Sequence, residues 1–165
     1  MYKRILVPVD GSPTSVRGLD EAIQLARLTG ASIRLVHVLD QVVFVGGGTY
    51  TVDVFGILKE AGERIMQEMK ARVAAAGIEV STFVSEVLAG RVCDIVLEQA
   101  KAFGADLIVI GTHGRRGVGR LLVGSDAEQV VRLASVPVLL VRTPQGAAAA
   151  AGTATAKATL AEVKD

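Results

Sequence analysis

Short apolar runs recur along this chain with helix-length segments between them, and that alternation leaves few folds open. Residues 4–9 (RILVPV), 33–38 (IRLVHV), 78–87, 106–110 (DLIVI) and 136–141 (VPVLLV) read as strands. They are rich in valine and isoleucine, and most lack the in-out alternation of a half-exposed strand. Between them the period changes. Ser12 followed by Pro13 has the form of a helix cap with proline at the first helical position, Val16, Leu19, Ile23 and Ala26 share one face, and Gly30 closes the segment. Ala61, Ile65, Met69 and Val73 predict a second helix over 57–76 that ends at Gly77. A third starts at Gly90, runs through Val92, Ile95, Val96, Ala100 and Phe103, and stops at Gly104. A fourth covers about 126–134. Strands separated by helices argue for a parallel sheet covered on both faces. The expected fold is therefore α/β, a single doubly wound five-stranded parallel sheet of the Rossmann-like or flavodoxin-like kind.

With 165 residues, half of them apolar, the chain can bury one proper core. Residues 1–143 make the expected domain. Residues 144–165, alanine-rich and poor in large apolar side chains, read as a disordered or weakly helical tail. Residues 40–56, with Gly46, Gly47 and Gly48, read as an irregular crossover or a flap. A formal net charge of +1 and no lysine or arginine block argue against a nucleic acid partner. No apolar run is long enough to span a membrane, and the N-terminal apolar run is too short for a secretory signal. The single cysteine, Cys93, forms no internal disulfide and agrees with a cytoplasmic setting.

The segment after the fourth strand carries the chemistry. Gly111 and Gly114 are separated by nine intervening residues from Gly124 and Ser125, and Ser125 with Glu128 has the S-x-x-E form of a capping box. Glycines let backbone amides approach a polyanion, and a helix N-terminus directs partial positive charge toward it. A glycine-rich turn with no ligand is the alternative. Arg115, Arg116 and Arg120 favour the phosphate reading, since guanidinium groups pair with phosphate oxygens, yet each also suits a solvated surface. Ser125 has two competing uses for one oxygen, the helix cap and the phosphate. If the first and fourth strands are neighbours, Pro8 to Ser12, the end of strand two near Val38, and Gly111 to Ser125 meet in one pocket at the carboxyl ends of the strands.

Other nucleotide signatures are missing. There is no G-x-x-x-x-G-K-[ST], and Gly117 with Gly119 does not complete a dinucleotide fingerprint because position 122 is Leu. Asp10, directly after strand one, is placed to accept a ribose hydroxyl or help hold a divalent metal, and equally to stabilise the turn into the first helix. His37, inside an apolar strand, reads as a hydrogen-bonded histidine of the core or pocket edge. His113 lies in the glycine loop without a partnered nucleophile or metal-ligand spacing, and Cys93 reads as a small helix-face residue.

On these residues the chain resembles the universal stress proteins of the nucleotide-binding type. That family's signature, G-x2-G-x9-G-[ST], is matched by Gly111, Gly114, Gly124 and Ser125 without gaps. ILVPVDGS at the start, LVHVLD in the second strand and SVPVLLVR near the end are similar too. The resemblance implies that Pro8, Val9 and Asp10 line the adenine and ribose, with Asp10 meeting the ribose, and that Val38 contacts the adenine. It implies that Gly111, Gly114, Gly124 and Ser125 hold the phosphates of ATP, with Gly119 or Arg120 alongside and magnesium or manganese as companion ion. It also implies a homodimer paired through the last strand, Val138 to Val141, which agrees with the liability of an open apolar edge. The expected function is an ATP-binding stress-response or regulatory module. A slow ATPase or nucleotide-using transferase, with Asp10 or His113 assisting, is the alternative, and a dimerisation module without nucleotide is the second. No P-loop lysine or paired acidic metal site supports efficient phosphoryl transfer.

Overall fold

A computed structural model describes residues 1–40, 54–87, 91–112 and 124–142. In order along the chain they form β1 (Arg4–Pro8), α1 (Pro13–Thr29), β2 (Ser32–Asp40), α2 (Val54–Ala75), β3 (Val80–Val87), α3 (Val92–Phe103), β4 (Leu107–Gly111), α4 (Ser125–Leu133) and β5 (Val138–Val141). The strands make one five-stranded sheet of order β3-β2-β1-β4-β5, every pair parallel. Ile5, Leu6 and Val7 are completely buried. Alternate residues of β1 therefore face two different cores, which is why its sequence shows no polar face. Each such side chain contributes about 1.5–3 kcal/mol by leaving water.

One core lies under α1 and α2, where Leu19, Ala22, Ile23, Met66, Met69 and Val73 meet Ile5, Val7, Ile33, Leu35 and Val109. The other lies under α3 and α4, where Cys93, Val96, Ala100 and Val130 meet Leu6, Val36, Ile108 and Ile110. The expected doubly wound α/β sheet is the one observed.

Boundaries moved for identifiable reasons. The third strand starts at Val80, not at residue 78, because Gly77 is left-handed (φ 73°) and Ile78 N–H turns back to Val73 O to close α2. The fifth begins at Val138, since Pro137 has no N–H for the ladder, though its carbonyl accepts from Ile108. Ser12 caps α1 as expected, its side chain accepting from Ser15 N–H. The capping-box reading of Ser125 is corrected: the N-cap of α4 is Gly124, and Ser125 is the first helical residue. The alanine-rich tail and most of the glycine-rich 40–56 stretch fall outside the described residues.

The amino ends of the sheet are tied separately. Asp106 accepts from Lys3 N–H (2.8 Å) and Arg4 N–H (3.0 Å), joining the starts of β1 and β4.

Candidate functional site

From β1 the sheet runs outward through β2 to β3, and from β4 it runs the other way to β5. The strand order reverses between β1 and β4, and the crossovers there leave the sheet on opposite faces. That point at the carboxyl ends of the strands is where open α/β sheets receive ligands.

The chain leaving β1 is held residue by residue. Val9 N–H donates to Val36 O (2.8 Å), so Val9 stays attached to β2 beyond the end of β1. Asp10 N–H donates to Ser15 Oγ (3.3 Å), and Asp10 Oδ1 accepts from Ser12 N–H (2.9 Å). This is an Asx turn, so the turn-stabilising reading of Asp10 is realised at Oδ1. Gly11 completes it in the left-handed region (φ 77°). Pro8 pairs with Val36, and Val38 lies two residues farther along β2, opposite Ser85 of β3. The Val38 side chain is partly buried against the core under α3 and α4.

The second half of the site is built around Gly111. A Cβ there would lie 2.7 Å from both the carbonyl carbon and oxygen of Thr14, so only glycine lets the first turn of α1 sit against the end of β4. Packing thus supplies its own reason for a glycine that the sequence motif assigns to phosphate. The next residue, Thr112, is almost wholly buried and is the one that sequence reasoning passed over. Its N–H donates to Val141 O (2.9 Å), and its carbonyl accepts from Gly124 N–H (2.6 Å). The second of these bonds brings α4 back to the end of β4.

Two helix N-termini therefore flank the same strand end, α1 through Thr14 on Gly111 and α4 through Gly124 on Thr112. The first turn of each carries backbone amides without intrahelical partners and a partial positive charge near that strand end, although in α1 the Ser15 N–H is already taken by Ser12 Oγ. In α4 the acidic Asp126 and Glu128 of the first turn already complement that charge, whereas the first turn of α1 has no acidic residue. Because Gly124 is the N-cap and has no side-chain cap bond, the Ser125 hydroxyl is not consumed in capping. Ser125 is exposed at the mouth of α4. The structure thus brings Pro8, Val9, Asp10 and Val38 together on one side, and Gly111, Gly124 and Ser125 on the other. Gly114, Gly119 and Arg120, with His113, Arg115 and Arg116, lie outside the described residues. His37 is buried and hydrogen-bonded, its Nδ1 lying 2.6 Å from Val9 O.

Over residues 1–142 the sequence matches the model of the Universal stress protein family. The chain belongs to that family. It is 35% identical over 148 residues to a universal stress protein of Methanocaldococcus jannaschii, with 88% of this chain and 85% of that one covered. Its fold is similar to that of a universal stress protein from Archaeoglobus fulgidus solved in complex with dAMP, at TM-score 0.61 and 26% identity, covering 85% and 98% of the two chains. A universal stress protein solved in complex with cAMP is similar at TM-score 0.64 and 26% identity, covering 86% and 98%. Both of those universal stress proteins hold an adenine nucleotide. Among the described residues, no helix of this one is long and apolar enough to cross a membrane.

Proposed function

We propose that this chain binds an adenine nucleotide, ATP in the first instance, and acts as a nucleotide-dependent regulatory module of the stress response. The observation that carries this reading is the convergence of two helix N-termini on the end of β4, beside the Asp10 turn at the end of β1. A polyanion beside a hydroxyl-bearing sugar suits that pairing of amides with a carboxylate. In this reading Pro8, Val9, Asp10 and Val38 take the nucleoside. Gly111, Gly114, Gly124 and Ser125 take the phosphates, with Gly119 or Arg120 beside them. The adenine nucleotides held by the two similar structures support the base and the sugar. The glycine and serine spacing supports the longer phosphate chain. Among the described residues no three His, Cys, Asp or Glu side chains cluster, so magnesium or manganese enters the proposal only as companion of the triphosphate.

Binding without rapid turnover is the function we favour, and any hydrolysis is slow. We further propose a homodimer paired through β5 and, from the lone cysteine and the cytoplasmic supply of ATP, a cytoplasmic setting.

Titration calorimetry with ATP tests the site. Wild type should bind, and Gly114→Val should lose at least about tenfold in affinity, because a branched side chain intrudes where phosphate approaches the backbone. Equal affinities would remove the phosphate assignment.

A further inference from the structure

The turn that carries Asp10 does not rest on its own strand alone. Val9, the residue before it, has both backbone polar groups tied to β2, the N–H to Val36 O at 2.8 Å and the carbonyl to the imidazole of His37 at 2.6 Å. A carbonyl only accepts, so Nδ1 of His37 carries the hydrogen and donates it. His37 is 2% exposed, so water does not compete for that bond. Beyond Pro8, where β1 ends, an imidazole continues the attachment to the neighbouring strand.

Helix α2 closes over this arrangement at two points one turn apart. A Cβ on Gly62 would lie 2.9 Å from His37 Nε2 and 2.7 Å from Leu39 Cδ2, so the helix touches the far edge of the imidazole through a residue without a side chain. A Cβ on Gly11 would lie 2.9 Å from Ile65 Cδ1, so the next turn of α2 covers the residue after Asp10. The residues on either side of Asp10 are thus set from outside β1, Val9 by His37 and Gly11 by Ile65.

We propose that His37 is a positioning residue of the nucleotide site: its Nδ1–H holds the Val9 carbonyl, and with it the direction in which the chain enters the Asp10 turn. The inference rests on the reading of that turn as the nucleoside side of the site. His37 touches no ligand and acts through Val9, while α2 holds the imidazole in place.

Two substitutions separate positioning from packing. His37→Asn keeps an N–H donor one bond beyond Cγ, where Nδ1 stands, but loses most of the ring volume. His37→Leu fills more of the space and has no donor. The positioning role predicts that His37→Leu weakens ATP binding by roughly tenfold, because a Val9 carbonyl without its donor turns away and the Asp10 turn must be set again as ATP binds. It also predicts that His37→Asn stays within about threefold of wild type while melting at a lower temperature than His37→Leu. A merely structural role predicts the reverse, with affinity following the melting temperature. ATP affinity of His37→Leu equal to wild type, or a weaker His37→Asn than His37→Leu, would overturn the inference. Independently of any variant, long-range ¹H–¹⁵N spectra of wild type should show Nδ1 protonated and the His37 ring resonances shifting on ATP saturation. An Nε2–H tautomer, or resonances indifferent to ATP, would also overturn it. Failure of wild type to bind ATP would remove the proposed function as well, whereas wild-type binding with an unaffected His37→Leu removes this inference alone.

Discussion

At Gly111 a single methyl group has nowhere to go. The atoms it would meet belong to the backbone of Thr14, and backbone gives way far less readily than the end of a side chain. Gly111→Ala should therefore destabilise the fold by about 1–3 kcal/mol. Urea denaturation would show it as a lower midpoint with an unchanged slope. The glycine itself was legible in the sequence, but its reason was only half legible, because nothing local tells that the first turn of α1 will lie against it. Cys93 is simpler. Burial first, then the neighbouring Asp94 carboxylate, push its thiol pKa above the ordinary value, so the reactive thiolate is suppressed. Iodoacetamide at pH 8 should leave Cys93 unmodified in the folded protein and label it fully once denaturant is added. The sequence reading of a small helix-face residue agrees with its place in the core under α3 and α4.

At the scale of elements, α2 sets two effects against each other. Gly62→Ala improves helix propensity by up to about 1 kcal/mol. It also drives a methyl into His37 and Leu39. Leu39 can rotate away, whereas His37 is buried and held by Val9. Steric cost should win, and Gly62→Ala should be destabilised by about 1 kcal/mol or more in the same denaturation experiment. Apolar spacing predicted this helix through Ile65, Met69 and Val73, yet it could not separate a glycine that weakens a helix from one that lets it approach a strand. The start of α4 shows a similar limit. S-x-x-E at Ser125 resembles a capping box, but the hydrogen bond from Gly124 to Thr112 starts the helix one residue earlier. A long-range contact outweighed a local signal.

For the molecule as a whole, the alternation of strand and helix fixed the class of fold, and helix-terminating glycines at 30, 77 and 104 marked where the segments end. The strand order was not readable in that way, since it depends on which apolar edges find each other. At the amino ends of the sheet, Asp106 clasps β1 to β4, and there Arg4 packs against Gly104 at the end of α3. Asp106→Ala should lower stability by about 1 kcal/mol and leave ATP affinity unchanged, since the lost bonds lie at the end of the sheet away from the proposed site. The proposed dimer is best tested at Leu139, which is 38% exposed on β5, whereas Leu140 packs into the core. Leu139→Arg should sediment as a monomer where wild type sediments as a dimer. A wild-type monomer, or a variant that remains dimeric, would remove that interface.

The bond between Thr112 and Gly124 has a consequence for how such proteins change over generations. The joint is made of main-chain atoms alone, the carbonyl of residue 112 and the N–H of residue 124, which any residue but proline at 124 would supply. What brings α4 back to the end of β4 is in that respect indifferent to side-chain identity at either position. The side chains at 112 and 124 and the hydrogen bond between their backbones can then be inherited as separate characters.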